Sequence, residues 1–238
     1  MALIDQTSFS KFRISGPGAL DLLQYLAVSN IDKPIGKIIY TQFLNSRGGI
    51  EADLTISRTG EEEFYIVTGS AFGVHDRSWI EKHSPRDGSV VIDDLTEKFG
   101  VINLCGPHAR DVLQNVTDDD ISNEALPFSS FADIRVAGHP VRAMRIGYVG
   151  ELGWEMHMGR ENMPAVYKVL TEAGSKYDIA DAGYRAIDSL RMEKGYLYWS
   201  SDITPDYNPF EAGLGFRVNM KKGDFIGREA LTLSLIHI

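Results

Sequence analysis

The chain has 238 residues, 43% hydrophobic and 24% charged, the balance of an ordinary soluble globular protein long enough for one large domain or two small ones. A net charge of −9 speaks against a broad phosphate-binding surface, and neither a long apolar run nor a basic-then-apolar start is present, so no nucleic-acid or membrane partner is expected. The lone Cys105 leaves no internal disulfide and fits a reducing compartment, for which we expect the cytoplasm.

In chain order, the apolar run Phe12 to Ile14 leads into Ser15-Gly16-Pro17-Gly18-Ala19-Leu20-Asp21-Leu22-Leu23-Gln24. This reads as strand, Gly-Pro turn and helix, since a proline near the first helical turn removes no intrahelical hydrogen bond. Strands are predicted over 37–44, 50–57 and 63–68, rich in β-branched and aromatic residues, and a helix over 71–82. The first motif then returns. Val101 to Leu104 and Cys105-Gly106-Pro107-His108-Ala109-Arg110-Asp111-Val112-Leu113-Gln114 repeat Gly, Pro, Ala, Asp, Leu and Gln at matching places. A glycine turn that opens a helix is a geometry that can hold phosphate, but a tight strand-to-helix joint is the plainer reading here. Further strands are predicted over 141–147 and 153–158, and helices over 162–173 and 182–194. The fold class that follows is α+β, built from two pseudo-repeated α/β halves. The last six residues, Leu233-Ser234-Leu235-Ile236-His237-Ile238, translate CTG TCT CTT ATA CAC ATC, the start of a transposon-end sequencing adapter. We therefore expect 1–232 to be the domain and 233–238 a non-native tail; resequencing that found those codons continuous with genomic DNA would overturn this.

Four motifs stand in order along the chain. They are Leu44-Asn45-Ser46-Arg47-Gly48-Gly49-Ile50-Glu51-Ala52-Asp53-Leu54-Thr55, Gly147-Tyr148-Val149-Gly150-Glu151-Leu152-Gly153-Trp154-Glu155, Asp188-Ser189-Leu190-Arg191-Met192-Glu193-Lys194-Gly195 and Asn208-Pro209-Phe210-Glu211-Ala212-Gly213-Leu214-Gly215. Together they resemble the folate-binding aminomethyltransferase family typified by the T-protein of the glycine cleavage system. The segments Leu3-Ile4-Asp5, Gly69 to Ile80 and Glu193-Lys194-Gly195-Tyr196 look more like the C-terminal folate domain of dimethylglycine and sarcosine dehydrogenases. The resemblance implies the T-protein folate-binding fold, with a C-terminal β-barrel that is missing after Phe225 to Leu231. It also implies tetrahydrofolate as cofactor and an FAD amine-dehydrogenase domain as a partner in the same polypeptide. No Gly-x-Gly-x-x-Gly occurs, so FAD itself is not expected in this chain.

The resemblance makes Asp53 the reaction-centre carboxylate, with Ala52 where the T-protein pattern has a further aspartate. Such a carboxylate accepts a proton or stabilises a developing cation, typically a 10²–10⁴-fold effect. On its residues alone Asp53 reads as a turn-flanking aspartate bonded to backbone N–H groups. The resemblance implies that Glu155 takes two N–H groups of the pteridine ring, each such charge-assisted bond being worth roughly 1.5–3 kcal/mol. Glu151 reads as support for the turn. Tyr148 and Trp154 read either as walls of the pteridine slot or as core aromatics. The pattern departs at Ile187, where the T-protein branch has arginine; Arg185 lies two residues earlier, on another side of a helix. Arg191 reads equally as a family arginine or a structural pair. Lys221 and Lys222 read as solvated surface lysines before a folate-binding patch. His75 and Asp76, adjacent on a helix, read as capping or core residues. The six histidines lack zinc-like spacing and no hydrolase elbow occurs, so no metal is expected. Two other readings stay open. One is a stand-alone glycine cleavage aminomethyltransferase, which needs a lipoyl carrier. The other is a folate-binding iron–sulfur assembly factor, against which Lys194-Gly195-Tyr196-Leu197 counts, because that branch carries a cysteine there.

Overall fold

The computed structural model describes the backbone of residues 1–237 and the side chains of residues 1–234, so Ile238, the end of the expected tail, lies outside the described residues. Strands β1 (Ala2–Asp5) and β2 (Ser10–Ser15) precede helix α1 (Ala19–Leu26), then β3 (Ile38–Leu44), β4 (Ile50–Arg58), β5 (Glu63–Thr68) and α2 (Gly73–His83). Next come β6 (Val91–Asp94), β7 (Phe99–Cys105), α3 (Ala109–Gln114), β8 (Phe131–Val136), β9 (His139–Met144) and β10 (Gly153–Gly159). The order closes with α4 (Met163–Gly174), β11 (Ala180–Ala182), α5 (Tyr184–Glu193) and α6 (Arg228–His237). No helix among the described residues is long and apolar enough to cross a membrane.

The chain divides into two compact units. The first joins Met1–Phe9 to Leu95–Tyr196 around a six-stranded sheet of order β11-β1-β7-β10-β9-β8. Only the β1–β11 pair is parallel. Alternation along β10 sends Trp154, Met156 and Met158 into a core shared with Leu3, Ile102, Leu104, Val112 and Leu113 of α3, and Val166 and Leu170 of α4. Gly153, Glu155 and His157 therefore lie on the opposite face. Each large apolar side chain buried in this way contributes roughly 1.5–3 kcal/mol.

The second unit joins Ser10–Asp94 to the chain from Leu197 onward, around an antiparallel five-stranded sheet of order β3-β4-β5-β2-β6. Leu22, Leu23 and Leu26 of α1 and Ile80 of α2 pack on Phe12, Ile14, Ala52, Leu54, Ile56, Phe64 and Ile66. The pleat of β4 puts Ala52, Leu54 and Ile56 into that core, which leaves Glu51, Asp53 and Thr55 together on the other face. The two repeated motifs occupy equivalent places, β2 into α1 and β7 into α3. Gly16 and Gly106 open the turns with φ of +111° and +125°, a region that side chains avoid. Their N–H groups bond the carbonyls of Glu62 and Leu152, so the turns are joints whose amides are already committed to the sheet.

Candidate functional site

The second unit assembles a carboxylate site on β3, β4, β5 and α2. A Gly48-Gly49 hairpin starts it: Gly48 has φ +86°, and Asn45 Oδ1 accepts the N–H groups of Arg47 and Gly49 at 3.0 and 3.1 Å. This turn sets the β3–β4 register in which Asp53 lies directly opposite Gln42. Gln42 Nε2 donates to Asp53 Oδ1 at 2.7 Å, and Tyr40, two residues earlier on the same face of β3, also bonds the carboxylate. Both bonds favour the charged form, yet burial outweighs them. It pushes Asp53 from 3.8 to about 6, with the charge of Asp76 pushing further and Arg217 opposing. Asp53 nonetheless keeps partial exposure to solvent. The guanidinium of Arg217 lies 5.2 Å from the centre of the Tyr40 ring. Gln42 is fully buried and its Oε1 has no hydrogen-bond partner among the described residues.

Beside Asp53 runs a second polar chain. Glu51 accepts at Oε1 from His75 Nε2 at 3.1 Å, and its Oε2 accepts from Asn45 Nδ2 at 3.3 Å. His75 Nδ1 is 2.9 Å from Asp76 Oδ1, while Thr68 Oγ1 donates to Asp76 Oδ2 at 2.5 Å. The Trp199 ring lies 5.9 Å from the imidazole. His75 is held above its ordinary value: burial works against this, but the Asp76 and Glu51 carboxylates outweigh it. Asp76 is also raised, by its own burial. Of the capping and core packing expected for these two residues, Asp76 is buried as a core residue is, while neither side chain caps the helix. No side chain caps α2, and His75 and Asp76 pair with each other. Neighbours on a helix do not face one another by backbone geometry, but their Cα atoms are only about 3.8 Å apart. An imidazole in the first turn can therefore fold over the carboxylate beside it.

Glu155, Tyr148, Trp154 and Arg185 belong to the first unit. Glu155 is 9% exposed and sits mid-β10, opposite Asn103 on β7 and Met144 on β9. His157 Nε2 is 3.9 Å from its Oε2. Asn103 is 1% exposed, and neither its Oδ1 nor its Nδ2 has a partner among the described residues. Tyr148 is half-buried and stacks on Tyr196, ring centres 6.0 Å apart at 19°. Trp154 is fully buried in the sheet–helix core, with the Arg110 guanidinium 5.1 Å from its ring, on the opposite face of β10 from Glu155. Arg185 is exposed on α5. Arg191, by contrast, is 7% exposed and bonds Asp188 Oδ1 at 2.8 Å and the Tyr196 carbonyl at 3.0 Å, a brace for the end of that helix.

Two of the lysines and the cysteine resolve differently. Lys221 is exposed, whereas Lys222 reaches the Gln24 carbonyl, with its ammonium 5.1 Å from the Phe225 ring; burial lowers it to about 8. Cys105 is buried, which raises its thiol to about 11 and leaves it unreactive at neutral pH.

Each of the two sheet-and-helix units carries a buried or half-buried carboxylate, Asp53 in one and Glu155 in the other, on the sheet face opposite its main core. The structure superposes on glycine cleavage system aminomethyltransferase T from Bartonella henselae with a TM-score of 0.87 and 27% identity, over 99% of this chain and 63% of that one. The chain belongs to the GCVT N-terminal domain family, which matches residues 1–222. It is 41% identical to human mitochondrial sarcosine dehydrogenase and 40% identical to mouse mitochondrial dimethylglycine dehydrogenase, in each case over 97% of this chain. It spans 27% of the length of each dehydrogenase.

Tyr40, Gln42 and Arg217 were not singled out by the sequence motifs. Tyr40 and Gln42 stand two residues apart in a strand whose turn was legible, and pairing across the hairpin is the signal that points to them.

Proposed function

We propose that this chain is a tetrahydrofolate-dependent one-carbon transfer module of the kind joined to an FAD-linked dimethylglycine or sarcosine dehydrogenase. The observation that carries this reading is the Asp53 carboxylate, held by Tyr40 and Gln42 and titrating at about 6. General acid–base help is most effective when the group titrates near the working pH. A cofactor of folate chemistry fits the residues present. The pteridine edge offers adjacent N–H groups to a carboxylate such as Glu155, and Asn103 beside it has unused donor and acceptor capacity. Gln42 Oε1 adds a free acceptor next to Asp53.

When bound, tetrahydrofolate supplies the two nucleophilic nitrogens that take up a methylene group from an iminium. Asp53 would be the acid–base group of that transfer, its carboxylate taking up and giving back one proton. Gln42 and Tyr40 orient the carboxylate, and Arg217 favours its ionised form. Within the first unit, Glu155 would bond and Tyr148 would wall a pteridine ring, whereas Trp154 fixes β10 from the core side. Arg185, exposed on α5, is the candidate for the anionic glutamate tail.

Calorimetric titration of tetrahydrofolate into the chain tests this. Saturable binding is expected, with Glu155→Ala weakening it about 10-fold or more, the equivalent of one or two charge-assisted bonds. A folded chain that binds no folate, or an unchanged affinity in Glu155→Ala, would remove the proposed site.

A further inference from the structure

We infer that His75, acting through Asp76 and Glu51, sets the protonation of Asp53 and is thus a positioning residue for the transfer reaction. The inference rests on the functional reading above for its purpose, but not for its geometry. Glu51 and Asp53 are alternate residues on one face of β4, and the charge of Asp76, which shares His75 with Glu51, acts on Asp53. His75 bridges Glu51 at 3.1 Å and Asp76 at 2.9 Å, and Thr68 and Asn45 anchor the far oxygens of those two carboxylates.

Exposure grades along this path. The His75 side chain is 43% exposed, Glu51 16% and Asp76 1%. The imidazole is the member that exchanges protons with water, and the anions behind it are screened from solvent. Tyr40 and Gln42 face Asp53 from β3, Arg217 stands as the counter-cation, and the Trp199 ring covers the imidazole. His75 is the group in this polar chain that can gain a positive charge, and it does not itself bond Asp53.

The sign of the effect follows. With His75 protonated, its positive charge offsets Glu51 and Asp76, and Asp53 stays ionised to lower pH. With His75 neutral or absent, the two carboxylates act undiminished, and Asp53 holds its proton more tightly. A proton entering at the solvent-facing ring therefore makes Asp53 a weaker base, and loss of that proton makes it a stronger one.

The test is a carbon-13 NMR titration of the aspartate carboxyls in the intact chain, with the Asp53 signal assigned by its absence in Asp53→Asn. His75→Gln is expected to raise the Asp53 midpoint, and Asp76→Asn to lower it, each by roughly one pH unit. Opposite signs are the decisive readout, since general loosening of the fold would move both in one direction. Should Asp76→Asn fail to fold, Glu51→Gln, at a partly exposed position, is expected to lower the midpoint likewise. Midpoints that stay put, or move the same way in the His75 and carboxylate variants, would overturn the inference. Opposite shifts in a chain that binds no tetrahydrofolate would leave the coupling standing and sink the proposed function instead.

Discussion

A carboxylate that titrates at about 6 instead of 3.8 is a strain the native state carries. Between those values the folded chain binds a proton that the unfolded chain does not, so stability falls as pH rises through the window and stays reduced at neutral pH. One pH unit corresponds to about 1.4 kcal/mol. With partial solvent screening, the cost at Asp53 is on the order of 1–2 kcal/mol. Asp53→Asn should therefore melt a few degrees higher than the parent at pH 7.5 and show no gain at pH 4, as calorimetric scans at the two values will reveal. The same substitution should leave tetrahydrofolate affinity nearly unchanged while transfer is lost, and an equal loss of binding would recast Asp53 as a ligand. Transfer by the parent should climb as pH rises through about 6, because the ionised form is the base. A flat profile from pH 5 to 8 would mean that another group takes the proton. Stability traded for a poised charge is a common property of reaction centres.

At the scale of elements, the β3–β4 hairpin does most to place the site, and Gly49 is its tightest point. A Cβ there would collide with the Pro205 carbonyl and approach Asn45 Nδ2 at 3.0 Å, the side chain that orders the turn. Gly49→Ala is expected to destabilise the chain by about 2 kcal/mol or more, since backbone must move to admit the methyl. Denaturant unfolding measures this, and a change below 0.5 kcal/mol would show that the turn yields easily. The hairpin was legible in the sequence because a Gly-Gly pair separates two β-branched runs, and β5, α2, α4 and β10 were legible for similar reasons of period and composition. The edge and terminal strands were not. β1 and β11 are four and three residues long, too short for any period to register, and become strands only by pairing, β1 with β7 and β11 with β1. β6 is half exposed, and β8 alternates weakly. Asp53 and Glu155 could be found because motifs surround them. Tyr40 and Gln42 follow from pairing across the hairpin, but Asp76 and Arg217 could not be found, because they come near Asp53 only after α2 and the chain beyond Leu197 have folded onto it.

At the scale of the whole molecule, neither unit is a continuous stretch of chain. The first unit needs β1 to pair with β7 after residues 10–94 have intervened, and with β11 later still. Such long closures are entropically unfavourable until they are complete, which argues for slow and cooperative folding of this sheet. β1 is the piece on which that closure depends. It sits between β11 and β7, Leu3 belongs to the main core of the unit, and Ile4 packs with Val149, Cys105 and Ile187. Removing residues 1–5 forfeits the burial of Leu3 and Ile4, roughly 1.5–3 kcal/mol each, together with both ladders of β1. That loss is of the same order as the 5–15 kcal/mol by which most domains are stable. It also bares the edge of β7, an invitation to pair with another chain. The shortened chain should lose its cooperative thermal transition and elute as aggregate in size-exclusion chromatography. A monomeric sample melting within a few degrees of the parent would show that β7 and α5 hold the unit without β1.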